Sequence, residues 1–266
     1  MVIMKKLIIT VLLAALTLGL CACGSSKTQA QDQATQDQAT QDSAATHESI
    51  KAASTYVESV IDTSEMSSSI QDDANGVYQY WTYAGGNAND EFSLAIEIDG
   101  KSIALKDTTV SDLKDLGFEC EIDVETVPPN TVQGFTLKKD DKYCNVSVQN
   151  MTNTEQDIQD LTIFQVNAFA DEGNLSFDYG GIKSGTSLEE VIKALGTPKS
   201  NVTVAANESG NSITLNYNNT VTDGDQMTSS TLDIDLIYNA EKNTATVKSI
   251  NLTSYQDKVT QETTAE

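Results

Sequence analysis

The 266-residue chain has no arginine: all 16 basic residues are lysine, set against 39 acidic ones, for a formal net charge of -23. Phosphate backbones require a dense positive footprint, so nucleic acid is excluded as a partner. The bidentate grip on carboxylate or phosphate that a guanidinium fork provides is missing too. Histidine occurs once, which rules out a triad or metal centre built on several imidazoles. Tryptophan also occurs once, and aromatics make up 6% of the chain, so a local cluster of rings stands out. Nothing in this composition calls for a cofactor.

What is present begins with an address. Lys5 and Lys6 form a short positive start, and Leu7 to Leu20 is an apolar run of signal-peptide length. It is shorter than the ~20 residues a comfortable membrane span needs. The run ends in Leu20-Cys21-Ala22-Cys23-Gly24, which resembles the bacterial lipobox. Leu20 takes the leucine position, Ala22 the small residue before the cut, and Cys23 the lipidated cysteine. Using Cys21 instead would place bulky Leu20 where a small residue is required. The resemblance implies a signal peptide over 1–22 and a diacylglycerol anchor on the extracytoplasmic face of the cell membrane. Losing Lys5 and Lys6 takes the charge from -23 to -25. An acidic membrane surface would therefore repel the mature chain, and the lipid has to hold it there.

Residues 23–47 then read as an anchor cysteine and a disordered spacer of repeated Gln, Asp, Ala and Thr, with nothing able to bury a core. The lone His47 closes this spacer and reads as a solvated side chain. Residues 48–90 form a lead-in, weakly helical over Glu48–Ile70. Residues 256–266 read as a second polar tail.

Hydrophobic patterning fills 91–255. Phe92, Leu94, Ile96 and Ile98 alternate with polar residues up to Asp99-Gly100, a strong hairpin signal, and Ile103 and Leu105 follow. A two-residue loop pairs Ile96 with Ile103 and Leu94 with Leu105. Leu188, Val191, Ile192 and Leu195 have helical spacing, with a capping box at Thr186/Glu189 or Ser187/Glu190, and Gly196 and Pro198 as stops. Val110, Leu113 and Leu116 before Gly117 make a weaker copy, with Ser111 as cap. Four strand-like runs follow each helix. The expected fold is therefore α+β: two tandem units at 91–170 and 171–255, each a short helix on a four-stranded antiparallel sheet.

The run Gly180-Gly181-Ile182-Lys183-Ser184-Gly185-Thr186-Ser187-Leu188-Glu189-Glu190 through Pro198 is similar to the helical start of beta-lactamase-inhibitory-protein-like repeats. The stretch Phe92–Gly117 is similar to many Gram-positive lipoproteins. That resemblance implies short helices against a curved antiparallel sheet, and action by binding another protein. No inhibitory contact residue carries over by position.

Candidate chemistry is sparse. Tyr78, Tyr80, Trp81 and Tyr83 form the aromatic cluster, suited to packing or to stacking on a sugar or peptide. Cys120 and Cys144 both alternate with apolar neighbours toward the core, leaving buried free thiols or a disulfide as readings. With no histidine in the patterned region, neither has a base to make it a nucleophile. Asp223-Gly224-Asp225 lacks calcium-loop spacing. Asp233 and Asp235 alternate with Leu232, Ile234 and Leu236, which assigns them to the solvent face of a strand. Asn145-Val146-Ser147 reads as polar strand residues. The expectation is a non-enzymatic lipoprotein that binds a protein or cell-wall component. A carboxylate-based envelope hydrolase and a small-ligand-binding lipoprotein are the alternatives.

The anchor is directly testable. Cys23→Ser should abolish metabolic palmitate labelling and release the protein or leave its precursor uncut, whereas Cys21→Ser should keep the label. Continued labelling of the Cys23→Ser variant would refute the assignment.

Overall fold

A computed structural model describes residues 47–73, 76–85, 88–207, 210–224 and 226–258. Leu20, Ala22 and Cys23, most of the spacer, and residues 259–266 lie outside the described residues. The first element is α1, residues 47–60, where Ile50, Ala53, Tyr56 and Val57 form a buried stripe that Ile61 prolongs. This spacing gives a helix one apolar face, and packing that face stabilises a segment of modest intrinsic propensity. The hairpin β1 (Met66–Asp73) and β2 (Gly76–Tyr83) follows, then β3 (Ala95–Ile98) and β4 (Lys101–Ala104). Asp99 and Gly100 both take positive φ between the latter pair, and Ile96 faces Ile103 in the expected register.

Helix α2 (Val110–Asp115) leads to β5 (Glu119–Glu121), β6 (Thr126–Val127), β7 (Thr131–Lys139), β8 (Lys142–Asn150), β9 (Gln156–Asp157) and β10 (Ile163–Phe169). The α2 cap is Thr109 rather than Ser111. Its hydroxyl accepts from the Asp112 amide, and the Asp112 carboxylate accepts from the Thr109 amide. After β11 (Phe177–Asp178), α3 (Leu188–Leu195) uses the Ser187/Glu190 capping box and ends at Gly196. Then come β12 (Asn201–Asn207), β13 (Gly210–Asp223), β14 (Gln226–Asn239) and β15 (Thr244–Lys258). Residues 256–258, assigned above to a polar tail, belong to β15 and pair with β14.

The α+β expectation is overturned. The described residues are 55% strand and 15% helix. It contains one ten-stranded antiparallel sheet, ordered β1-β2-β12-β13-β14-β15-β10-β8-β7-β5, instead of two separate four-stranded sheets. The strand runs were legible but their partners were not. β10 pairs with β15, with Val166 opposite Leu252 and Ala168 opposite Ile250, so one apolar face continues across the join. Two separate sheets would have left both strands as open edges. The lead-in joins this sheet, because β2 pairs along β12 from Val77–Ala206 to Thr82–Asn201.

Along β14, Leu232, Ile234, Leu236 and Tyr238 are buried, while Thr231, Asp233 and Asp235 alternate onto the other face. The buried face forms one apolar cluster with α1, α2, α3 and the small sheet β11-β3-β4. Polar ties fix these covers. The Tyr56 hydroxyl donates to Glu189 at 3.0 Å and accepts from the Ala245 amide at 3.3 Å, and Tyr217 donates to the Gly196 carbonyl at 2.9 Å. Buried Asp90 accepts the Lys199 and Asn218 amides at 2.8 and 3.0 Å, stapling its loop to β13 beyond the end of β12.

Leu113 is fully buried beneath α2, whereas Ile192 on α3 is only partly buried. Leu113→Ala should cost about 2–5 kcal/mol in chemical denaturation, and Ile192→Ala distinctly less. Equal losses would show that the two helices cover the sheet alike.

Candidate functional site

The face of the sheet turned away from the apolar cluster is polar, and its order follows from strand register. Thr82 stands opposite Asn201, Asn201 opposite Asn216, Asn216 opposite Asp233, and Asp233 opposite Asn251. The row continues through Asn167, Asn145 and Thr136. Eight strands at ordinary spacing make this row about 34 Å long. A second row runs Tyr80, Thr203, Thr214, Asp235 and Ser249. At the β14–β15 irregularity Ser249 pairs with Asp235 and Val247 with Leu236. That bulge keeps Val247 in the core and Ser249 on the polar face.

Side chains along the rows bind one another. Asp233 accepts from the Asn216 amide at 2.5 Å through Oδ1 and from the Asn251 amide at 3.3 Å through Oδ2. Asn216 Oδ1 accepts from Ser200 at 2.6 Å and Asn201 at 3.2 Å. On the other side, Asn251 Oδ1 accepts from Gln165 at 3.0 Å, and Gln165 from Ser147 at 3.3 Å. Donors therefore point toward Asp233 from both directions, an arrangement in which each bond polarises the next. Asp235 is held likewise, by Thr214 at 2.6 Å and Ser249 at 2.8 Å.

Both carboxylates are thus half-buried and held by neutral donors. Burial pushes the Asp233 carboxyl above the usual range, and the nearby Asp235 charge adds to that. The Asn216 and Asn251 amides pull it back only in part. The two aspartates are more than solvent-facing strand residues: they are the uncompensated negative centre of an ordered polar surface.

The aromatic residues singled out from the sequence divide between the two sides. Tyr78 and Tyr80 lie on the polar side, with ring centroids 6.2 Å apart and planes 19° from parallel. Trp81 is 2% exposed in the core, and Tyr83 is half-buried against Gly85. Cys120 faces Leu137, and Leu137 faces Cys144, so one strand separates two free thiols. Burial pushes the Cys144 thiol up to about 12 and raises Cys120 as well, the opposite of nucleophile activation. His47 begins α1 with Nε2 3.3 Å from Asp72. Asn145 and Ser147 join the polar face. Asp225 lies outside the described residues.

Sequence reasoning missed Asn201, Asn216, Asn167 and Asn251. Each alternates with buried residues, a signal visible in the chain, but only register aligns them. Among the described residues no group of three or more His, Cys, Asp or Glu side chains is placed to hold a metal, and no helix is long and apolar enough to cross a membrane. No protein-family model, curated protein or solved structure matches the chain.

The Asp233 environment has a pH signature. Its folded pKa is raised, so the folded state binds the proton before the unfolded state does, and this site's contribution to stability grows as pH falls from neutrality into the carboxylate range. Wild type should therefore gain thermal stability relative to Asp233→Asn between about pH 7 and pH 4. A difference independent of pH would show that Asp233 is not desolvated.

Proposed function

We propose that the chain is a lipid-anchored lipoprotein of the extracytoplasmic membrane face, and a non-enzymatic module that binds a protein or cell-wall component. Leu20-Cys21-Ala22-Cys23 supports the anchor. The observation that carries the binding role is the ordered polar face: about 34 Å of asparagine, threonine and serine side chains around Asp233 and Asp235. Its side chains are already set by their mutual hydrogen bonds, so a partner would meet a surface that loses little entropy on contact. The charge on this face favours partners with positive groups, and its amides suit peptide or sugar hydroxyls alike.

One observation favours the hydrolase alternative, namely the raised pKa of Asp233 beside a second carboxylate. Yet both oxygens of each acid already accept hydrogen bonds, and each acid is fixed from both neighbouring strands. With both oxygens engaged inside the sheet, these acids are fixed in position and poorly placed to exchange protons with a substrate.

Cross-linking in intact cells tests the reading. Wild type should capture a discrete envelope partner, and Asp233→Asn with Asp235→Asn should reduce that capture, most strongly at low ionic strength. Wild-type chain that captures nothing, or that cleaves wall glycan and loses this activity in the double variant, would overturn it.

A further inference from the structure

The two edges of the ten-stranded sheet are built differently. At one end β5 is three residues long, carries Glu119 and Glu121, and has Lys138 3.7 Å from Glu121. Short length and charge are the usual protections of an edge. At the other end β1 runs eight residues, Met66 to Asp73, in unbroken register with β2. It has no lysine, no proline and no bulge, and its residues from Ser67 onward are exposed. Among the described residues no strand lies beyond it.

The direction of its backbone groups can be worked out. The Ala84 amide donates to the Glu65 carbonyl, and the Tyr83 amide to Ser200 on the β12 side. Antiparallel partners alternate between bonded and non-bonded pairs. Residues 65, 67, 69 and 71 therefore point toward β2, while Ser68, Ile70 and Asp72 turn both N–H and C=O outward. Ile70, in the middle of this outward set, is 66% exposed and is the most exposed large apolar side chain described.

Charge selects the occupant. β1 carries Asp72, which has His47 Nε2 at 3.3 Å, and Asp73; Glu65 precedes the strand, and β1, β2 and β12 contain no lysine. A second copy would bring the same acidic stretch to this edge. An extended segment carrying lysine would bring the opposite charge.

We infer that β1 is a strand-addition site, at which an extended segment of a lysine-bearing protein pairs with Ser68, Ile70 and Asp72. Backbone hydrogen bonds would supply affinity, Ile70 a side-chain contact, and the acidic surroundings the charge preference. The inference rests on reading the chain as a binding module, and it adds the sheet edge to the polar face as a contact for a protein partner.

The probe is a short fluorescent peptide of alternating valine and lysine, titrated against the full chain. It should bind more weakly as salt rises, and hydrogen exchange should slow at the amides of Ser68, Ile70 and Asp72. The same peptide with N-methylated backbone, or with glutamate for lysine, should bind about tenfold more weakly or worse. Ile70→Pro removes an outward donor without breaking a β1–β2 bond, and proline is tolerated at such edge positions. That variant should lose a similar factor, as should Ser68→Pro, which guards against a local folding defect in either one. Undiminished binding to both proline variants, or exchange protection elsewhere, would overturn the inference. So would β1 protection that grows with protein concentration without peptide, which would assign the edge to a second copy. The broader reading fails separately: wild type without envelope cross-links sinks it, while cross-links that survive Ile70→Pro sink only the edge.

Discussion

The antiparallel pairing of β10 with β15 is the contact on which the rest of the structure depends. It joins the meander β5-β7-β8-β10 to the meander β12-β13-β14-β15 and places Val166 and Ala168 beside Leu252 and Ile250. One apolar face thereby spans the sheet, and α1, α2, α3 and the small β11-β3-β4 sheet all pack into a single cluster on it. Without this pairing each meander would expose a strand edge and close a smaller core, a poor solution for a chain whose helices are this short.

The same pairing creates the opposite face. Asn167 stands beside Asn251 because β10 meets β15 in that register, and this extends the asparagine row of one meander into the other. A continuous core on one side thus entails a continuous polar surface on the other, since strand side chains alternate. The two aspartates at its centre are stabilised by amides and hydroxyls instead of lysine. Neutral donors of this kind hold a carboxylate in place without cancelling its charge, leaving the field outside the sheet negative.

Parts of this were legible beforehand. The Asp99-Gly100 turn imposed the Ile96–Ile103 register, and Ser187, Glu190 and Gly196 bounded α3, because hairpin turns and caps are local interactions between near neighbours. The cap of α2 was placed two residues late, since Ser111 and Thr109 are chemically alike and only Thr109 is positioned to exchange hydrogen bonds with Asp112. The tyrosines at 78 and 80 and the tryptophan at 81 read as one cluster in the chain, yet strand alternation sends Trp81 to the core and the tyrosines to the other face.

By itself the sequence determined the inward and outward face of most strands, and the local turns and caps. Which strands lie side by side was decided only in the folded molecule. Alternation names a face for each strand but no neighbour, because every residue other than proline offers the same backbone donor and acceptor. The union of β10 with β15, the placement of β2 along β12, the asparagine row, and the single leucine strand between Cys120 and Cys144 all depend on that long-range choice. It is made by burying the largest common apolar face, a property of the assembled sheet that no short segment of the chain contains.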